Sequence, residues 1–392
     1  MSLMKDAVYL AKVYALRAAQ HCLFFLPVRK NRVLFYAHQR KGFCCNLKYM
    51  ALEMKRRYGE SVEMIWTTED PRTCSCVERE GIRVVGTNTP RHWLYQLTAG
   101  TVIVNDAFHE AVILRKKQVT VNTWHAAMNY KHIGPDYTVF HNRLHRHIMN
   151  MRNRQPGLYL SGSRYFTQDT SRSFGFDPAV FAETGCPRND VFFSDHSSQK
   201  ESLLYRMGIA TDTRIVMYAP TFRSDLKAWD ARLDYDRLVA ALEARFGGKW
   251  IVFYRKHYFL TDEPICNREH VVDVSDYEDA NELLAMCDVL VSDYSSCLWD
   301  FSLTERPAFV FAPDMAAYAG EDRGFSLPPS RWPFSIACSN EEMEKNILAF
   351  SEEEYRQKVQ HHHQENGRAD FGHAAQKAVD LWAKKRGMEQ DA

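Results

Sequence analysis

Short β-rich runs separated by helical stretches recur from one end of the 392-residue chain to the other, and this alternation constrains the fold more than any other feature. A parallel strand is reached from its neighbour only through a crossover, and a helix usually supplies it, so the pattern predicts parallel sheets covered by helices. The runs Val33–Ala37, Glu63–Thr67, Arg83–Val85, Thr101–Val104, Val119–Asn122, Leu158–Leu160 and Val180–Glu183 predict one set of strands, with helical patterns such as Leu47–Arg57 between them. The polar stretch Ser194–Lys200 interrupts the alternation and predicts a linker. The pattern then restarts with strands at Arg214–Tyr218, Trp250–Tyr254, Val271–Val274, Val289–Val291 and Ala308–Phe311, and helices at Tyr235–Phe246 and Ala280–Cys287. The expectation is an N-terminal helix over residues 1–30, an α/β domain over 31–193, a second over 200–345 and a helical tail over 346–392. Ligands of such domains bind beyond the carboxyl ends of the strands, which predicts a site in a cleft that two facing domains would form.

The formal net charge of +1 argues against a nucleic-acid partner, so any anion binding must be local. The ten cysteines include Cys44–Cys45 and Cys74-x-Cys76 but no spacing typical of zinc, which favours buried thiols in a reducing compartment. No stretch reaches the run of about 20 apolar residues that spans a bilayer. Met4–Pro27 mixes apolar residues with Lys5, Lys12 and Arg17 and is followed by Arg29, Lys30 and Arg32, so it is either a basic amphipathic helix lying on an anionic membrane or a helix packed on its own domain. A further basic stretch, His141 to Arg154, reads as a solvated helix or a surface for anionic lipid or polymer. His361-His-His363 sits in the charged tail, and its expected place is a solvated helix face rather than a metal site.

Neither a dinucleotide fingerprint nor a P-loop is present. Four other segments carry polar chemistry at strand ends. In Asp288–Asp300, a strand runs into a turn where Ser295 and Ser296 open a helix, an arrangement that serves either a phosphate or a plain N-cap. Upstream, Asp273–Glu282 supplies Asn281 and Glu282, which could hydrogen-bond a ribose or polyol or serve as solvated capping groups. Tyr218-Ala-Pro-Thr221-Phe-Arg223 and Arg255-Lys-His257 place cations just past two strands, where Arg223 could grip a diphosphate with its planar fork. In Asn122-Thr-Trp-His125, the histidine follows a strand and is a candidate base for an alcohol, the competing reading being a structural histidine of the core.

These segments, in this order, resemble the CDP-glycerol glycerophosphotransferase family, which builds teichoic acids and related capsular polymers. The motifs are Asn46-Leu-Lys-Tyr49, Trp124-His-Ala-Ala with Lys131 and Gly134, Gly185-Cys-Pro-Arg188-Asn-Asp190, Tyr218–Arg223, Arg255–His257, Asp273–Tyr277, Asp293-Tyr-Ser-Ser296 and Arg323-Gly-Phe325, spanning about residues 30–370. The resemblance implies a GT-B-type α/β fold of two Rossmann-like domains, with a CDP-glycerol or CDP-ribitol donor on the C-terminal domain and a lipid-linked or polymeric acceptor on the N-terminal one. It implies that His125 and His257 are essential and that Arg223, Ser295 and Ser296 contact the donor diphosphate. Thr221, Arg255, Asn281, Glu282 and Asp293 complete the expected donor side, and Asn46, Lys131 and Arg188 the acceptor side. It implies no cofactor, with magnesium compatible but not required, and a peripheral place on the cytoplasmic face of the membrane; oligomerisation stays open. The Trp-His-Ala-Ala form is closer to the primase and ribitol-phosphate branches, while Tyr258 and Met128-Asn129 depart from the family pattern. A glycosyltransferase or nucleotide-sugar epimerase using a UDP-sugar is the alternative on the same fold.

Overall fold

The computed structural model describes residues 3–37, 42–136, 143–221, 233–256, 270–321 and 324–388. They divide into two units, one from Met1–His125, Gly134–Asp190 and Ala369–Ala392, the other from Ala126–Ile133 and Val191–Arg368.

In the first unit, α1 (Leu3–Cys22) leads into β1 (Arg29–Tyr36), α2 (Cys45–Tyr58), β2 (Glu63–Thr68), α3 (Ser75–Arg79), β3 (Arg83–Gly86), α4 (Pro90–Thr98) and β4 (Ala99–Val104). It continues through β5 (Val119–Asn122), α5 (Arg143–Arg152), β6 (Leu158–Leu160), α6 (Arg164–Phe174) and β7 (Phe181–Ala182). All strand pairs are parallel, in the order β3-β2-β1-β4-β5-β6-β7. This is the doubly wound order, whose direction of winding reverses between β1 and β4. The alternation of β1 shows why both faces must be covered: Val33 and Phe35 pack with Met50 and Met54 of α2, while Leu34 and Tyr36 pack with Val104, Phe108 and Val112 on the other face.

In the second unit, α7 (Ser197–Arg206), β8 (Arg214–Ala219), α8 (Tyr235–Phe246), β9 (Trp250–Tyr254), β10 (Val271–Asp273), α9 (Ala280–Met286), β11 (Val289–Ser292), α10 (Cys297–Ser302), β12 (Ala308–Phe311), α11 (Met315–Glu321), β13 (Ser335–Ala337), α12 (Asn340–Leu348) and α13 (Glu352–Asn366) follow one another. Its sheet, again parallel, has the order β10-β9-β8-β11-β12-β13, with the reversal between β8 and β11.

Three features differ from expectation. The polar stretch 194–200 is a helix start rather than a bare linker, because Asp195 accepts hydrogen bonds from the Ser197 amide and hydroxyl at 3.0 and 2.6 Å. The residues after 345 are not one tail. Helices α12 and α13 belong to the second unit, whereas α14 (Ala374–Arg386) belongs to the first. There Ala378, Val379 and Trp382 of α14 enter the β1/α2 core, and the Trp382 indole N–H donates to Thr101 Oγ1 at 2.9 Å. The Gly185–Asp190 motif explains the docking. Asp190 accepts from the Ala374 and Ala375 amides at 2.8 Å each, and Asp370 accepts from the Cys186 amide at 2.6 Å. Gly185 is required there: its φ is +86°, and a Cβ would stand 3.0 Å from the Ala369 carbonyl and from the Asp370 carboxylate.

The third correction concerns the three histidines. His361 is exposed, but His362 and His363 are 2% and 4% exposed on the inward face of α13. Neighbours on a helix are about 100° apart, so two of three consecutive side chains can share one broad buried face. The burial is tolerated because each imidazole is hydrogen-bonded, His362 to Tyr130 and His363 to Ser302.

Candidate active site

His125 stands on the turn that leaves β5, at the carboxyl edge of the first sheet. The Asn122 side-chain oxygen accepts from the Trp124 amide at 2.8 Å, and the Thr123 amide donates to the Val104 carbonyl at 2.8 Å. Trp124 is thereby held at φ +49°, a left-handed conformation that costs a bulky residue about 1–3 kcal/mol unless its surroundings enforce it. Asn46 is the main enforcer. Its amide nitrogen donates to the Thr123 and Trp124 carbonyls at 2.8 and 2.9 Å, and its oxygen accepts from the Arg188 amide at 3.0 Å. Asn46 is fully buried, and it follows Cys45, itself at φ +60°.

On this turn, His125 Nδ1 lies 2.9 Å from the Asn105 backbone carbonyl, and its ring stacks on Trp124 with centroids 4.6 Å apart. A carbonyl only accepts, so Nδ1 carries the proton and, in the neutral ring, Nε2 carries the lone pair. Asn105 and Asn122 were not among the sequence candidates. The available signal was positional, since each is a polar residue at the end of a buried strand.

In the second unit, Thr221 and Asp293 meet across the point where the winding reverses, one following β8 and the other β11. Asp293 accepts from the Thr221 amide at 3.1 and 3.0 Å, from the Thr221 hydroxyl at 3.0 Å and from the Tyr294 amide at 2.6 Å. Arg255 donates to the Val274 and Tyr277 carbonyls at 3.1 and 2.7 Å, tying the loop after β9 to the loop after β10. Ser295 accepts from the Cys297 amide at 3.3 Å. Ser296 occupies the N-cap of α10 without a side-chain cap bond, so the helix starts one residue later than expected. Asn281 is buried at the start of α9, where Asp279 caps its amide at 3.0 Å, and Glu282 is half-buried.

The structure thus brings together Asn46, Arg188 and the His125 turn in one unit, and Thr221 with Asp293 in the other. Asn46 and the 3%-exposed Arg188, expected on the acceptor side, are interior groups that shape the turn; the Arg188 guanidinium donates to Cys45 Sγ at 3.6 Å. Lys131, also expected there, belongs to the second unit, where it forms an isolated antiparallel bridge with Phe325. Arg223, His257, Tyr258 and Arg323 lie outside the described residues. Among the described residues, no group of three or more His, Cys, Asp or Glu side chains is arranged to hold a metal ion, and no helix is long and apolar enough to cross a membrane.

Two doubly wound parallel sheets, each with its polar residues gathered at the carboxyl ends of the strands, define a GT-B-type α/β fold. Consistent with this, a solved variant of the wall teichoic acid polymerase TagF, soaked with CDPG, superposes with a TM-score of 0.81 over 98% of this chain and 98% of that one, at 22% identity, a likeness that establishes the fold. The chain matches the family model for CDP-glycerol:poly(glycerophosphate) glycerophosphotransferase over residues 18–383, and it belongs to that family. It is 27% identical over 346 residues to the teichoic acid poly(glycerol phosphate) polymerase of Bacillus subtilis (strain 168), covering 84% of this chain and 45% of the relative. It is 25% identical over 305 residues to the teichoic acid poly(ribitol-phosphate) polymerase of Bacillus spizizenii, covering 75% and 47%. The chain therefore spans about half the length of these relatives.

Proposed function

We propose that the chain transfers a glycerol-phosphate or ribitol-phosphate unit from its CDP-activated form to a hydroxyl of a lipid-linked or polymeric acceptor, releasing CMP, in teichoic acid or capsule synthesis. The observation that carries this reading is the enforced tautomer of His125, whose Nδ1 faces the Asn105 carbonyl. The Nε2 lone pair takes the acceptor proton as the acceptor oxygen bonds to the β-phosphorus; the bridging P–O bond breaks and its electron pair leaves on CMP. The protein does little covalent work in such a step, so positioning and charge neutralisation carry the rate. In this proposal, His257, Arg223 and the hydroxyls of Ser295 and Ser296 offset the charge on the leaving phosphate. Thr221 and Asp293 shape the donor loop together with Arg255, Asn281 and Glu282, and Lys131 serves the acceptor. The donor class is supported by family membership and by the names of the glycerol- and ribitol-phosphate relatives. The test is to incubate the protein and acceptor with CDP-glycerol, CDP-ribitol and UDP-sugars. CMP release from a CDP-polyol is expected, and UDP release without CMP would favour the glycosyltransferase or epimerase alternative.

Asn46→Asp tests the turn itself. It places a carboxylate oxygen against the Thr123 and Trp124 carbonyls, and leaving such buried groups unsatisfied costs about 1–3 kcal/mol each. A roughly hundredfold loss of kcat with KM for the CDP-polyol little changed is expected, equivalent to about 2.7 kcal/mol of transition-state stabilisation. A kcat within twofold of wild type would remove the turn from the mechanism.

The same proposal places the enzyme peripherally on the cytoplasmic face of the membrane. Helix α1 packs on the first unit through buried Val13 and Gln20, with Arg17 donating to the Glu110 carbonyl at 2.9 Å and Gln20 to the Ala111 carbonyl at 2.8 Å. It nonetheless exposes Val8, Lys5 and Lys12, and Phe25 just beyond it is 77% exposed. Burying a Phe is worth about 1.5–3 kcal/mol, so Phe25→Asp is expected to weaken sedimentation with phosphatidylglycerol vesicles by tenfold or more. Unchanged sedimentation would count against this face.

A further inference from the structure

The chain passes from the first unit to the second immediately after His125, and the segment Ala126–Ile133 is part of the second. At its centre Tyr130 is 1% exposed. Its ring packs against Trp332 at 4.9 Å and lies parallel to His362, 6.1 Å away at 8°. Its hydroxyl is 3.1 Å from His362 Nε2, and its carbonyl accepts from the Ser326 and Leu327 amides at 2.9 and 3.4 Å.

The tautomer of His362 follows from its other neighbour. Asn366 Nδ2 donates to the His362 carbonyl at 2.8 Å, which identifies it as the amide nitrogen, and the same group faces His362 Nδ1 at 3.2 Å. Nδ1 therefore accepts, Nε2 carries the proton, and that N–H points at the Tyr130 oxygen. A phenylalanine would fill the same space without the cost of burying an imidazole, so what the histidine adds is its directional bonds, to Tyr130 and to the Arg331 backbone.

We propose that His362, acting through Tyr130, is a positioning residue for His125: α13 holds the segment that leaves the His125 turn, while Asn46 holds the turn itself. Tyr130 is five positions after His125, at most about 3.3–3.6 Å of chain per position, so the Tyr130 anchor acts on the turn through one short buried stretch of chain. The inference rests on the transfer reading above, in which His125 is the base.

The experiment uses the whole chain and two readouts, amide hydrogen exchange over residues 123–127 and CMP release from the CDP-polyol. Tyr130→Phe removes only the hydroxyl, and His362→Phe keeps a ring but no donor. Both are expected to speed exchange over 123–127 about tenfold and to lower kcat about tenfold, with KM for the donor within twofold. Ser302→Ala is the control. It breaks the equally buried bond to His363, 2.7 Å long and one residue further along α13, and is expected to lower Tm while leaving exchange over 123–127 and kcat at wild-type values. Wild-type exchange over 123–127 in both Tyr130→Phe and His362→Phe would overturn the inference, as would equal acceleration in Ser302→Ala. If the wild-type protein releases CMP from no CDP-polyol, the transfer reading fails on that result alone, and the exchange comparison still decides whether α13 steadies the turn.

Discussion

Replacing His125 with alanine is expected to reduce CMP release by about 10²–10⁴-fold, the usual contribution of a positioned general base. The fold should survive, because the side chain is only partly buried and the turn that carries it is held through backbone groups by Asn46 and Asn122. His125→Asn separates the two roles. Its amide can still donate toward the Asn105 carbonyl but has no basic lone pair, so it is expected to keep Tm near wild type and remain as inactive as alanine. Circular dichroism melts beside the CMP assay provide the check. Transfer retained within tenfold in both variants would remove His125 as the base and move attention to His257.

Acid is expected to destabilise both units well before carboxylates titrate. Burial holds His92 and His362 down to about 4 and His363 to about 3, against an ordinary value of 6.5. His109 adds to the burial effect at His92, and Arg368 and His362 add to it at His363. At His362, the charges of Arg331 and His361 act in the same direction, while Glu365 and a hydrogen bond to the Arg331 backbone partly oppose. Each ring also has a donor aimed at Nδ1, namely the Asn88 amide at 3.1 Å, Asn366 Nδ2 at 3.2 Å and Arg368 Nη1 at 3.4 Å, so a second ring proton has nowhere favourable to point. Since the folded values lie below the unfolded one, the unfolded chain takes up protons first as pH falls. The stabilisation is complete above about 6.5, is lost most steeply between about 6.5 and 4, and levels off below the folded values. At pH 5.5 each of the three costs about 1.2 kcal/mol relative to neutral pH. His109 is pushed the same way by burial and Arg152, with the Glu110 carboxylate 3.8 Å from its Nε2. Urea midpoints at pH 7.5 and 5.5 measure the loss, and His363→Gln should flatten the slope by up to one proton. A midpoint independent of pH over that range would contradict the neutral, Nε2-protonated state assigned to these rings.

Most of the architecture was legible in the amino-acid order. Val33–Ala37, Trp250–Tyr254 and Ala308–Phe311 are short apolar runs of strand length bounded by polar turns, and each is a buried strand of a parallel sheet. β13 at Ser335–Ala337 escaped because its Ser-Ile-Ala run carries one large apolar residue, whereas the equally short β6, Leu-Tyr-Leu, is apolar throughout. The region holding the histidine was legible too, since His125 follows β5 directly.

What residue order specified was therefore most of the strands, their parallel pairing and the location of polar groups at strand ends, because those follow from local hydrophobic period and from the helical crossovers between the runs. Tertiary packing alone decided the rest. It turned Asn46 from an expected acceptor contact into the clamp that holds Trp124 at positive φ, and sent α14 back to the first sheet under the Asp190 cap. It also drew His362 and His363 out of a charged helix into the core. The common physical reason is hydrogen-bond satisfaction at long range. Whether a buried polar side chain is tolerated depends on partners 61 to 232 residues away, and residue order carries no local signal for them.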